Sequence, residues 1–204
     1  MTIVEPILTF FFYAIVAIAA QNAIFTRALG VSRLVKIVDD GSVELFKFGA
    51  LLTAVQLISS LLSFFAGRAL MGLALPYKSA FLPLVLVLCS AIAFFIVLLI
   101  LVLPKKRALA KDYVTLLPMA TFNCSILGTL LLTSTGGYTL LQSLGFSLGS
   151  AVGYVLAVVL VNEGQRKIQN RGLPATFRGL PITLIYIGIL ALAIYGFSGH
   201  TPAI

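Results

Sequence analysis

From Tyr113 to Asn162, fifty consecutive residues include no Asp, Glu, Lys or Arg. A water-soluble domain carries about 25 % charged residues, so a run of this length would hold about twelve. Across the whole chain the charged fraction is 10 %, against 60 % hydrophobic. These numbers exclude a soluble enzyme or a nucleic-acid-binding domain, even though the net charge is +8. The chain reads as an all-α integral membrane protein, a single membrane domain over residues 1–204 with no room for a soluble domain.

A helix rises about 1.5 Å per residue, so roughly 20 apolar residues cross the hydrocarbon core. Six stretches qualify, at about 6–26, 46–66, 81–103, 114–133, 139–162 and 180–198. Glu5 and the lack of a basic leading region make Met1 to Ala20 a retained first helix, not a removable signal. Charge and turn residues punctuate the gaps: Arg33 to Asp40, Pro76-Tyr77-Lys78, Pro104 to Arg107, Ser134 to Gly137, and Gln165 to Gly179 with Gly172 and Pro174. Twelve of the fourteen Lys and Arg residues fall in connections one, three and five, leaving only Arg68 and Lys78 on the other side. The positive-inside rule then places those three connections in the cytoplasm and both termini outside.

Chemistry-bearing residues are few. The single histidine, His200, falls in the outer tail, and five of the six acidic residues (Asp39, Asp40, Glu44, Asp112, Glu163) fall at or near cytoplasmic span ends. No His-based dyad, Walker loop or dinucleotide fingerprint is present. Gly145, Gly149, Gly153 and Ala157 recur every four residues, giving the fifth span a smooth face for another helix backbone, from this chain or from a neighbouring protein. Gln21-Asn22 and Phe122-Asn123-Cys124 interrupt the first and fourth spans with polar groups. Three helices plus three more would be two oppositely oriented repeats, about 1–103 and 114–199, with broken first and fourth helices. The amides would alternatively only hydrogen-bond between helices. Cys124 has two readings: a small core hydrophobe, or a thiolate ligand to a metal cluster. Cys89 and Cys124 have no spacing that supports a disulfide.

The second half then presents an ordered series: Leu117-Pro118, Thr121, Asn123-Cys124, Gly128; Leu141-Gln142-Ser143, Gly145-Phe146-Ser147, Gly153; Pro174-Ala175, Phe177-Arg178-Gly179; Gly196-Phe197-Ser198-Gly199. This series resembles the Rnf–Nqr family of membrane proteins. Within it, the likeness is to the Rnf A type of the ion-translocating ferredoxin:NAD oxidoreductases and to its counterpart, the Nqr E type of the sodium-pumping NADH:quinone reductases. It covers about residues 114–199, and the first half matches loosely through Asn22, Leu29-Gly30 and Val31-Ser32.

The resemblance implies a six-helix inverted-repeat subunit in the inner membrane of a bacterium or archaeon. It would pair with a sister subunit of opposite topology (Rnf E or Nqr D type) around a [2Fe–2S] cluster, two cysteines coming from each partner. Flavin, NAD and ferredoxin would belong to other subunits, making this one non-catalytic. Cys124 would be the metal ligand, with Asn123 and Asn22 shaping the cofactor site. The second family cysteine lies in a Leu-Gly-x-Cys-Pro stretch before Val-Ser, and this chain runs directly from Leu29-Gly30 to Val31-Ser32. That departure leaves room for other readings: an unusual ligand set, a cluster-less structural subunit, or a stand-alone inverted-repeat transporter or channel.

Overall fold

The computed structural model describes residues 4–41, 44–72, 78–103, 107–168 and 174–198. Pro76 and Tyr77, Pro104 to Lys106, Arg171 and Gly172, and the tail from Gly199 that includes His200 lie outside the described residues. The described residues form helices α1 (Val4–Ile18), α2 (Val31–Asp40), α3 (Leu45–Gly72), α4 (Lys78–Val102), α5 (Arg107–Thr121), α6 (Cys124–Thr135), α7 (Leu140–Ile168) and α8 (Leu180–Ser198), with one 3-10 turn at Ala175–Phe177. The all-helical expectation holds.

Three helices among the described residues, α3, α4 and α7, are long and apolar enough to cross a membrane; Asp112–Thr121 of α5 with α6, bent by 49° at its break, makes a fourth if the pair counts as one span and not as a re-entrant loop. α1 and the Leu180–Gly196 stretch of α8 are shorter apolar helices. The large side chains left exposed on α1, α4 and α8, such as Phe11, Phe95 and Leu192, are what a lipid-facing surface requires.

α7 is the axis of the bundle and packs against α1, α2, α3, α6 and α8. Its glycine ladder explains the α1 contact. A Cβ built on Gly149 would lie 2.7 Å from Ala14 Cα, one on Gly145 3.2 Å from Phe10 Cα, and one on Gly153 3.2 Å from Ile18 Cα. Backbones that close need glycine. The pairs ascend together in number, so α1 and α7 run parallel. The ladder is therefore an intramolecular packing face, the first of the two readings its spacing allowed. α3 crosses α7 antiparallel: Gly49 packs on Val155, while Ser60 Oγ donates to Ser143 O at 3.4 Å.

The structure departs from the sequence reading in the first connection. α1 ends at Ile18, residues 19–30 form turns, and Arg33 to Asp40 belong to helix α2 rather than a loop. Leu34, Val35, Ile37 and Val38 are buried on one face of α2. Their helical spacing was hidden by the interleaved Arg33, Lys36, Asp39 and Asp40, which dominate composition but occupy the other face.

Candidate functional site

Both polar interruptions break their helices, and each break is built around an asparagine. Pro118 has no N–H to give to the α5 ladder, and Phe122 N closes that helix by donating to Pro118 O at 3.0 Å. Asn123 then takes an extended conformation, φ −115° and ψ 128°, and its Oδ1 accepts from Ser125 N at 3.1 Å, capping α6. Asn22 does similar work for the first break. Its Oδ1 accepts from Ile24 N and Phe25 N, and its Nδ2 donates to Ile18 O and to Gly153 O, both at 3.0 Å. Every strong hydrogen-bonding position of that amide is used, so burial at 1 % exposure carries no desolvation penalty.

The breaks meet against the middle of α7. Tyr154, the fifteenth of its twenty-nine residues, donates its hydroxyl to Gly30 O at 3.0 Å. Roughly 21 Å of helix lies on either side, at about 1.5 Å per residue. Gly30 precedes α2 with φ +82°, and a Cβ there would lie 2.5 Å from Asn123 Oδ1 and 2.7 Å from Tyr154 Cε2. Only glycine fits a left-handed turn wedged between those two side chains. Asn22, Gly153, Gly30, Tyr154 and Asn123 thus form one buried junction. Within it Asn123 Nδ2 lies near the Tyr154 hydroxyl yet reaches no hydrogen-bond geometry with any described residue.

Cys124 is the first residue of α6, beside this junction, and it is exposed on the outside of the chain together with Phe122. Free N–H groups of a helix's first turn favour negative charge placed there. Arg33 approaches from α2, its Nε donating to Phe122 O at 3.4 Å, and both Arg33 and Cys124 lie within electrostatic range of Tyr154. Cys89 is free and buried on the inward stripe of α4 with Leu86 and Ala93. Among the described residues no three His, Cys, Asp or Glu side chains converge, so any metal held at Cys124 needs ligands from outside this set.

A family model described as "Rnf-Nqr subunit, membrane protein" matches residues 10–201. The chain belongs to the Rnf–Nqr family. Among individual relatives, this Rnf–Nqr protein is 26 % identical to the A subunit of the Na(+)-translocating ferredoxin:NAD(+) oxidoreductase complex of Acetobacterium woodii, over 94 % of this chain and 98 % of that protein. It is 46 % identical to the A subunit of the ion-translocating oxidoreductase complex of Syntrophotalea carbinolica, over 42 % of this chain and 45 % of that protein. With the E subunit of the Na(+)-translocating NADH-quinone reductase of Psychromonas ingrahamii it shares 42 % identity, over 41 % of each chain. The match thus spans less than half the length of two of these relatives and nearly all of the third.

Of the three residues read from sequence as site residues, the structure brings Asn22 and Asn123 to one junction through Gly153, Tyr154 and Gly30, and puts Cys124 at its rim. Sequence reasoning missed Tyr154 and Arg33. A tyrosine beside Gly153, inside a charge-free run and on the glycine-ladder helix, was a signal for the first. The second was assigned to a cytoplasmic loop, and only the α2 packing reveals it.

Proposed function

We propose that this Rnf–Nqr protein works in an Rnf-type ion-translocating oxidoreductase complex, and that Cys124 is its thiolate ligand to a [2Fe–2S] cluster shared with a sister membrane subunit. One observation carries the reading: a thiol exposed on the outer surface of an apolar bundle, at the first residue of a helix, beside a helix break near the middle of α7. Exposure on that surface means contact with lipid or with another protein of the complex, and a ligand shared across an interface must be there. The donor set fits one ligand of four, since such clusters need four and this chain brings one thiol to the break.

When bound, such a cluster supplies one-electron transfer. The chain's own residues have other tasks. Asn123 fixes the turn that presents Cys124, and Asn22 ties the opposite break to the α7 backbone. Arg33 adds a positive charge that offsets the negative charge of a ligated thiolate in a low-dielectric setting. Phe122 and Phe94, with ring centroids 5.8 Å apart, keep water from that side.

The same reading includes six spans as two inverted repeats, both termini outside, in the inner membrane of a bacterium or archaeon. Two observations support the repeat. Asn22 and Asn123 use Oδ1 in the same way, each accepting from the N–H two residues on. The long second helices of the halves, α3 and α7, have 28 and 29 residues. A second reading, a transporter or structural subunit without a cluster, is favoured by the single thiol at the break.

Cys124→Ser and Cys89→Ser in the assembled complex separate the two. Serine is nearly isosteric, so both variants should assemble. Iron per complex and the electron paramagnetic resonance signal of the reduced state should fall for Cys124→Ser and stay unchanged for Cys89→Ser. A full signal in Cys124→Ser assigns the thiol to packing and removes the relay.

A further inference from the structure

Between α3, α6 and α7 the bundle interior is polar although it holds no carboxylate. Ser63 and Ser134 hydroxyls lie 3.4 Å apart at the end where the Gly136-Gly137 turn joins α6 to α7. They line a cavity of about 230 Å³ with Ser143, Tyr138 and Arg68, room for several ordered waters. Going inward, the antiparallel register set by Gly49 on Val155 and Ser60 on Ser143 brings Gln56 level with Ser147, one helical turn past the cavity. Both Gln56 side-chain atoms, Ser59 Oγ and Ser147 Oγ are fully buried and have no hydrogen-bond partner among the described residues. Beyond them Thr129 and Ser150 bond each other at 2.8 Å, and Ser125 Oγ and Asn123 Nδ2, again without partners, lead to the junction of the two breaks.

Buried amides and hydroxyls are paired with protein or with water in stable structures. An orphaned glutamine at 0 % exposure, with three orphaned serine hydroxyls on α3, α6 and α7 and the Asn123 amide nitrogen, is too costly to be dry. We propose that α3, α6 and α7 enclose a water-filled half-pore, running from the Ser63–Ser143 cavity past Gln56 and Ser147 toward Asn123. It is closed at its far end by the Gly30–Tyr154–Asn123 contact. Its polar lining is neutral oxygen and nitrogen, set beside the apolar Phe64, Met71 and Leu82 at the cavity, and Arg68 at the mouth is the one charged residue among the described residues lining the cavity. The guanidinium lies over the Phe64 ring at 4.5 Å, which holds the charge at the entrance. The half-pore therefore admits water and small neutral solutes ahead of cations, and it hydrates one side of the break while Phe122 and Phe94 keep the other dry.

The test is thiol accessibility in the full-length chain within its membranes, read by mass spectrometry on the peptide carrying the new cysteine, so the native cysteines stay in place. Ser147→Cys is nearly isosteric; Leu130→Cys, equally buried but in apolar packing, is the control. Neutral methyl methanethiosulfonate should modify position 147 at least about tenfold faster than position 130, where reaction waits for local opening. Its positively charged aminoethyl analogue should react more slowly than the neutral reagent at 147, and Arg68→Gln should narrow that gap. Gln56→Leu, which replaces the polar constriction with an apolar one, should slow modification at 147 and leave Ser143→Cys unchanged. Equal rates at 147 and 130 overturn the half-pore, and faster reaction with the cationic reagent overturns the role of Arg68. Neither readout depends on Cys124 or on iron, so the cluster reading stands or falls separately.

Discussion

Gly149→Ala is the most exacting perturbation of the bundle, because what the added methyl meets is backbone. Its Cβ would lie 2.7 Å from Ala14 Cα, and ordinary contact begins at 3.4 Å, so α1 must retreat by at least 0.7 Å. A gap of that size forfeits roughly a quarter to a half of each dispersion contact it opens. Overpacking of this kind costs about 1–3 kcal/mol, offset by at most about 1 kcal/mol from alanine's better helix propensity. The net loss lies between about 0 and 3 kcal/mol, and a central value of about 1–2 kcal/mol should lower the thermal midpoint of a 204-residue chain by roughly 2–8 °C. The control is Gly188→Ala in α8, whose Cβ would meet nothing within 4 Å and which should hold or raise the midpoint. A third variant, Gly145→Ala with Gly149→Ala, sharpens the argument. One outward shift of α1 relieves both clashes, so the pair should cost less than the sum of the singles. The assay is unfolding in detergent at one fixed scan rate. If Gly149→Ala melts with Gly188→Ala, the close approach of α1 and α7 is not what holds the first break in place.

Tyr154→Phe removes the hydroxyl that donates to Gly30 O and should destabilise by about 0.5–1.5 kcal/mol, read as a lower midpoint with the fold intact. Gly30→Ala should do worse and reduce assembled complex after extraction, since its φ of +82° and the Asn123 Oδ1 contact both oppose a Cβ. On the cluster reading, Arg33→Gln withdraws a positive charge from beside the ligand and should move the midpoint potential to more negative values, measured by a redox titration followed by electron paramagnetic resonance; an unchanged potential would detach Arg33 from the site. On the orientation reading, Asp39→Cys should be closed and Gly137→Cys open to an impermeant reagent added to intact cells, and the reverse pattern would invert the topology.

Helix content was plain in the sequence because apolar runs of this length leave no other fold, and α3, α4 and α7 fall close to the expected stretches. The glycine ladder was readable as a close-packing face from its four-residue period of small side chains, but that α1 of the same chain fills it came only from the structure. Arg33 to Asp40 was not readable. Eight residues carrying four charges look like a connection, and only the neighbour that buries Leu34 and Val38 makes them a helix. The site was half legible for a similar reason. Asn22 and Asn123 stand out as amides in apolar runs, but their meeting depends on the carbonyls of Gly30 and Gly153, which carry no signature in a one-letter code.

The bond from Asn22 to Gly153 joins residues 131 positions apart. At about 5–20 residues per second, the ribosome needs roughly 7–26 s to add that much chain. Throughout that interval the fifteen-residue helix α1 lacks the partner whose glycines it packs against. The packing of α1 and its break is therefore completed only after α7 has been made. Errors made late in synthesis, around α7, would be felt at α1 and at Asn22.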